Sequence, residues 1–462
     1  MAELRLDEIA IRMDGRIVQG DPSTLFGSFG IDSRLSRPGE LFFAIVAQRN
    51  GHDFVPDAFA KGARGAVISQ DIGPVGPEHA LVRVPDTVRA LQALAGSVLA
   101  EHDPKVIGIT GSIGKTTTKE FTAALLSPRF KVLKSEGNFN NHLGLALSLL
   151  KLQPEQQAAV LEMGASSPGE IRTLTRIAPP DVAVITNINP VHLEFFHSLG
   201  AVASAKKEIL DGAKENATAI LNGDDPLVQE IGRGWRGRRL TFGFSSACDV
   251  RASAVRKLGT DGMTFELRLE DKTRRVRFPF FYEEYLANLL AAVGASHALS
   301  LPFEVMIDGI PRLTPISGRG GLIRLGRNLR LIDDSYNSNP KALEAALKGL
   351  ASLPARRRVA VLGDMLELGP KEADFHRQAG RQVAENGWSL LLAVGRLAQL
   401  IAEGALAAGL PKTRVLTFAT SEEAAARISA LVEEDDLILV KGSRGIRTER
   451  VVERLKDDFK EN

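Results

Sequence analysis

Apolar residues in this chain fall into short continuous runs, each closed by a glycine-rich or polar turn. Runs at 41–45, 65–68 and 80–84 read as strands and 88–100 as a helix, which predicts a small α/β domain over residues 1–103. From 104 to 316 the runs at 106–109, 158–161 and 181–186 lack polar alternation, the pattern of parallel strands buried on both faces. Helical spacing follows the first of them: Phe121, Ala124 and Leu125 are expected to face the sheet. Segments 263–269 and 274–280 alternate apolar with polar around Glu270-Asp271-Lys272, as an antiparallel hairpin does. The section 317–462 is the most regular. Its strands at 329–332, 359–362, 390–394, 415–418 and 437–440 alternate with helical stretches and predict a doubly wound parallel sheet. The expected fold is therefore α/β in three domains. A small N-terminal α/β domain precedes a central P-loop parallel-sheet domain and a C-terminal Rossmann-like doubly wound domain.

Chemistry enters where the 106–109 run ends in Thr110-Gly111-Ser112-Ile113-Gly114-Lys115-Thr116-Thr117. Strand, glycine turn and helix N-terminus bring backbone N–H groups and the positive end of a helix dipole to one point, which cradles anions. Lys115 can reach the outer phosphates of a nucleotide, and the Thr116 hydroxyl can bind Mg²⁺. Gly111, Ser112, Ile113, Gly114 and Thr117 complete the loop. Ile109 occupies the first glycine position of the eight-residue form, so the match is to the shorter G-x-x-G-K-[ST]. Ligands of parallel sheets gather at the carboxyl ends of strands. Glu162 and His192 follow the next two runs there. Alone each would read as a surface carboxylate and a loop histidine, but beside a phosphate loop they become candidates for metal and phosphate duty. Asp32-Ser33-Arg34 sits in a polar turn; a Ser-Arg pair can hold a phosphate, though by itself it reads as a solvated turn.

Bulk properties narrow the class. The 462 residues exceed one core, and 44% hydrophobic with 25% charged residues is ordinary for a globular enzyme. A net charge of +2 advertises neither nucleic acid nor an acidic surface as partner. Cys248 is the single cysteine, which excludes an internal disulfide and suits a reducing compartment. Neither an apolar signal core nor a run long enough to span a membrane is present, so a cytoplasmic enzyme is expected.

Taken together these stretches resemble the Mur ligases, ATP-dependent amide-forming enzymes of peptidoglycan precursor synthesis. The likeness rests on the phosphate loop and on Gly137-Asn138-Phe139-Asn140-Asn141-His142-Leu143-Gly144. It rests also on Leu161-Glu162-Met163-Gly164-Ala165, Thr186-Asn187-Ile188 with His192, Ala205-Lys206, and Asn222-Gly223-Asp224-Asp225. Three later runs resemble the branch that adds D-alanyl-D-alanine: Asp333-Asp334-Ser335-Tyr336-Asn337-Ser338-Asn339-Pro340, Gly363-Asp364-Met365 and Lys441-Gly442-Ser443-Arg444. The resemblance covers essentially the whole chain in the family's order.

It implies joining of D-alanyl-D-alanine to the carboxylate of UDP-N-acetylmuramoyl-tripeptide through an acyl phosphate, with ATP consumed, two Mg²⁺ ions bound and a monomeric chain. It implies that Thr116, Glu162, His192 and Lys206 hold metal, Lys206 as a carbamate. Without the family, Lys206 beside Lys207 and Glu208 reads as a solvated helix face. Asn288, Arg319 and Asp334 would touch ATP. Asp32, Ser33 and Arg34 would take the uridine diphosphate, Asn138, Asn140 and Asn141 the sugar, and Asn337, Ser443 and Arg444 the dipeptide. The chain departs from the pattern at Glu284 and Tyr285, where the family usually has His-Asn, and at Ala47, Asn50 and Ala146. Three other readings share part of the pattern. They are a folylpolyglutamate synthetase, a sibling ligase adding one amino acid, and a nucleotide switch with no ligase activity.

Overall fold

The computed structural model describes residues 3–137, 139–190, 196 and 198–460. Two compact units divide the chain: Met1–Ile188, Gly200–Val250 and Asn288–Met306 form one, and Asn189–Leu199, Arg251–Ala287 and Ile307–Asn462 the other.

The first unit carries two larger sheets besides a short antiparallel pair of Leu4–Arg5 with Leu25–Phe26. Its N-terminal sheet runs Arg16–Gln19, Ala80–Arg83, Gly65–Ile68, Leu41–Phe43, Phe29–Gly30, parallel except for the Arg16–Gln19 edge. Helix Thr87–His102 follows it. The Asp86 carboxylate accepts from the N–H groups of Val88 and Arg89 at 2.8 and 3.1 Å, satisfying two of the donors that a helix start leaves open. The six strands of the second sheet that belong to this unit are all parallel, in the order Arg238–Gly243, Thr218–Asn222, Val182–Ile185, Lys105–Thr110, Ala158–Glu162, Val132–Lys134. Every residue of Val182–Ile185 and Ala158–Glu162 is buried, the physical counterpart of their unbroken apolar runs. Lys105–Thr110 lies between these two strands, so the phosphate loop leaves the middle of the sheet.

Helix Lys115–Leu126 begins six residues before Phe121, the first of its apolar positions. Phe121 and Leu125 are buried as expected, but Ala124 is exposed and Ala123 faces inward in its place. An alanine carries too little apolar surface to fix which way a helix turns, and the larger Phe and Leu decide it.

In the second unit the order is Gly321–Leu325, Leu329–Asp334, Asp436–Lys441, Arg357–Gly363, Leu390–Val394, Val415–Phe418. The last five are parallel and Gly321–Leu325 pairs antiparallel at the edge. Separate apolar clusters cover the two faces, one around Leu347, Trp388 and Ile401 and the other around Leu392, Ile438 and Val451. That is the doubly wound arrangement the alternation predicts. The hairpin pairs Met263–Leu269 with Lys272–Phe278, the turn falling at Glu270-Asp271.

Candidate active site

Two left-handed glycines shape the phosphate loop. A Cβ on Gly111 (φ +143°) would lie 1.9 Å from the Thr186 hydroxyl, and one on Gly114 (φ +87°) 2.1 Å from the Asn288 carboxamide. Neither space nor backbone conformation admits a side chain at either position. Neighbouring strand ends hold the loop from below. The Thr186 hydroxyl donates to the Ile113 carbonyl at 2.6 Å, and the Asn187 side chain bonds both the N–H and the carbonyl of Ile113 at 3.0 and 2.9 Å. Lys115 folds back over the loop and donates to the carbonyls of Gly111 and Ser112 at 2.9 and 3.2 Å. Asn288 is buried against Gly114 and accepts from the Thr118 hydroxyl at 3.5 Å.

Thr116 and Glu162 come together. The Thr116 hydroxyl donates to Glu162 Oε2 at 2.7 Å, while Glu162 Oε1 accepts from Asn140 Nδ2 at 2.9 Å. The main-chain carbonyl of Asn140 accepts from the Gly164 N–H at 2.9 Å. The phosphate-loop helix, the strand-end carboxylate and the asparagine loop thus form one hydrogen-bonded line. Asn141 has a different local duty: its side chain caps helix His142–Leu149 by accepting from the Gly144 N–H at 2.8 Å. Asn138 and His192 lie outside the described residues.

Lys206, on helix Leu199–Asp211, is almost fully buried, which overturns its reading as a solvated face. Burial lowers its ammonium to about 7, and the Lys115 charge pushes the same way against Glu170 and Glu208. A large share of the side chain is therefore the neutral, nucleophilic amine near neutral pH. Among the described residues no three His, Cys, Asp or Glu side chains cluster as a metal cage. The hydroxyl of Thr116 and the carboxylate of Glu162 do fit Mg²⁺, which favours a few protein oxygens completed by water and phosphate.

In the N-terminal section Ser33 is buried in the turn Ser33–Leu35. Arg34 is exposed and grips Asp32 through Nε and one terminal nitrogen at 2.9 and 2.7 Å, which holds the Asp32 carboxyl below its usual range.

The second unit carries its own polar set at the strand ends. Asp334 is paired with Lys441 at 2.6 Å, and the same ammonium donates to the Asn337 carbonyl at 3.0 Å. Burial nevertheless leaves the Asp334 carboxyl above its ordinary value. The Arg319 guanidinium sits 4.1 Å from the centroid of the Tyr336 ring and that of Arg444 5.6 Å from it. The Ser443 hydroxyl accepts from the Leu366 N–H at 3.0 Å. Tyr285, in place of the usual Asn, donates its hydroxyl to the Arg319 carbonyl and stacks edge-on against Phe280 and Tyr282. Lys441, Tyr336, Thr186 and Asn187 were not singled out as site residues from the sequence. Each stands inside a strand-end run already marked as polar, and that position is the signal that finds them.

Comparison with known proteins agrees with this chemistry. A model of the Mur ligase middle domain matches residues 109–296, and one of the Mur ligase glutamate ligase domain matches 318–444. A UDP-N-acetylmuramoyl-tripeptide–D-alanyl-D-alanine ligase of Bacillus subtilis is 35% identical over 94% of this chain and 93% of its own. The crystal structure of MurF from Acinetobacter baumannii superposes with a TM-score of 0.90 at 31% identity, covering 99% of each chain. MurF ligase from Thermotoga maritima, solved in complex with ADP, gives 0.80 at 30% identity over 93% of this chain and 97% of its own. Identity sustained over nearly the full length, with both domain models falling where the two polar sets lie, makes this chain a member of the Mur ligase family.

Proposed function

We propose that this chain is an ATP-dependent amide ligase acting in peptidoglycan precursor synthesis. It joins D-alanyl-D-alanine to the terminal carboxylate of UDP-N-acetylmuramoyl-tripeptide and releases ADP and phosphate. The observation that carries the reading is the Thr116–Glu162–Asn140 line, which ties a nucleotide-phosphate loop to a loop of the kind that meets the sugar substrate. A nucleotide switch needs no such link. A folylpolyglutamate synthetase would lack the five-stranded α/β section before the phosphate loop. Relatives named for this reaction match over nearly the whole chain.

Residues 1–103 then bind the uridine diphosphate end through Asp32, Ser33 and Arg34, residues 104–316 bind ATP, and residues 317–462 bind the dipeptide. The chain acts as a monomer in the cytoplasm. The carboxylate takes the γ-phosphoryl group of ATP, and the acyl phosphate so formed is attacked by the free amine of the dipeptide. The new C–N bond forms as the C–O bond to phosphate breaks, and the amine's proton leaves with phosphate or solvent. Phosphoryl transfer asks of the protein mainly positioning and charge neutralisation. Lys115 turns from its own loop carbonyls to the β- and γ-phosphate oxygens. Asn140 and Asn141 orient the sugar, Asn288, Arg319 and Asp334 the nucleotide, and Asn337, Ser443 and Arg444 the dipeptide. Thr116 would hold one Mg²⁺ and Glu162 and His192 a second, with a carbamylated Lys206 as a further ligand; bound there, the ions would neutralise charge on the phosphate and carboxylate oxygens. Lys206 suits carbamylation because its amine is buried and half neutral at about pH 7, and adding CO₂ turns a would-be cation into an anionic oxygen ligand.

Phosphate release is the test. It should require ATP, UDP-N-acetylmuramoyl-tripeptide and D-alanyl-D-alanine together. Release with a single amino acid in place of the dipeptide would indicate a sibling ligase, and release with ATP alone a hydrolase or switch.

A further inference from the structure

Lys119 is fully buried, an unusual place for an ammonium group, and nothing in the proposed reaction uses it. Its three N–H donors meet three acceptors: the Ser135 carbonyl at 2.6 Å, the Gly137 carbonyl at 3.2 Å and Glu120 Oε1 at 3.2 Å. Two of these are main-chain oxygens of the stretch that runs from strand Val132–Lys134 into the asparagine loop. Thr116 and Lys119 stand three apart on one helix, the spacing that puts side chains on the same face. The Ser135 hydroxyl in turn accepts from the Glu162 N–H at 3.1 Å. A closed circuit results: helix to Glu162 through Thr116, Glu162 to Ser135 through its own backbone, and Ser135 back to the helix through Lys119. Asn140, three residues beyond Gly137, reaches Glu162 from outside the circuit.

We infer that Lys119 is a positioning residue for the sugar substrate: it fixes the carbonyls of Ser135 and Gly137, and so sets the height at which Asn140 and Asn141 present their side chains. The inference rests on the reading of 137–141 as the sugar-binding loop. A lysine suits this task because two carbonyls and a carboxylate converging in a buried space need a cation; a neutral apolar group of the same length would leave acceptors unpaired. Fixing the loop ahead of binding removes an ordering cost that the UDP-substrate must otherwise meet, so the effect belongs to its affinity. ATP contacts a different part of the same helix and should be affected little.

The test compares the full chain with Lys119→Met, which keeps length and loses charge, and Lys119→Arg, which keeps charge. Steady-state phosphate release is followed with each of the three substrates varied in turn. Lys119→Met should raise KM for UDP-N-acetylmuramoyl-tripeptide about tenfold or more while KM for ATP and for D-alanyl-D-alanine moves less than about twofold. Lys119→Arg should recover part of the loss. A folded Lys119→Met with unchanged KM for the UDP-substrate, or with all three constants raised alike, overturns the inference. Should Lys119→Met not fold, the same split is sought in Lys119→Gln, and its absence there overturns it equally. Backbone amide exchange of residues 136–141, measured without substrate, separates the two levels of the argument. Faster exchange in the variants with no activity in the unaltered chain would sink the function while leaving Lys119 as the anchor. Unchanged exchange would sink the anchor itself.

Discussion

Thr116 gives its hydroxyl hydrogen to Glu162, 2.7 Å away, and it does so from the first turn of the helix that opens at the phosphate loop. Glu162 sits at the carboxyl end of the adjacent strand, so the bond ties the helix that follows one strand to the end of its neighbour in the same sheet. Glu162→Gln keeps the shape and removes the charge. Turnover should fall on the order of a hundredfold, as for loss of one preorganised charge-stabilising group. The melting temperature should stay within a few degrees. Equal turnover in a folded Glu162→Gln would remove the carboxylate from the reaction.

Lys115→Ala addresses the phosphate-loop lysine. Its ammonium rests on the Gly111 and Ser112 carbonyls, which water can satisfy once the side chain is gone. The fold should survive and turnover should drop about a hundredfold or more, because neutralisation of the transferring phosphoryl group is lost. Near-normal turnover would place the phosphates elsewhere.

Lys206→Ala should abolish most activity, and formate or acetate at tens of millimolar should restore part of it by filling the vacated space. Removing dissolved CO₂ from the unaltered enzyme should lower activity reversibly, with bicarbonate restoring it. Normal turnover in Lys206→Ala would end the carbamate reading.

His52 supplies a pH dependence with a definite sign. It is buried; its Nε2 accepts from the Ser69 N–H at 2.9 Å and its Nδ1 meets Asn50 Oδ1 at 2.8 Å, which fixes a neutral ring protonated on Nδ1. Burial lowers its pKa below the ordinary 6.5. The unfolded chain therefore binds the proton first, and stability is full above about pH 6.5 and is lost as pH falls through the lower, folded value. Urea midpoints at pH 7 and pH 5 should differ less in His52→Gln than in the unaltered chain. An equal difference would assign the acid sensitivity to other groups.

How much of this was legible beforehand depended on where each partner lies in the sequence. Strands such as Ala158–Glu162 are buried throughout, so their apolar runs announce them, and the polar residue ending each run marks the site edge. The helix start at Lys115 was hidden because Lys-Thr-Thr-Thr has no apolar periodicity; its order comes from the glycine loop before it. Lys119 was hidden for another reason: its acceptors are main-chain carbonyls sixteen and eighteen residues away, and backbone oxygens leave no trace in a side-chain pattern. Lys206 beside Lys207 looked solvated because a pair of charges cannot reveal that only the second reaches water; Lys207 pairs with Asp211 on the outer face. At Asn141 the residue type fits equally a ligand contact and the helix cap it makes.

Two guanidinium groups share the Tyr336 ring, Arg319 at 4.1 Å and Arg444 at 5.6 Å from its centroid. On the proposed assignment of Arg319 to the nucleotide and Arg444 to the dipeptide, this shared ring would couple the two binding equilibria. Whatever factor nucleotide binding imposes on dipeptide affinity by drawing Arg319 away, the dipeptide must impose on nucleotide affinity in return. An order of substrate addition could then arise from one aromatic ring, with no residue touching both ligands.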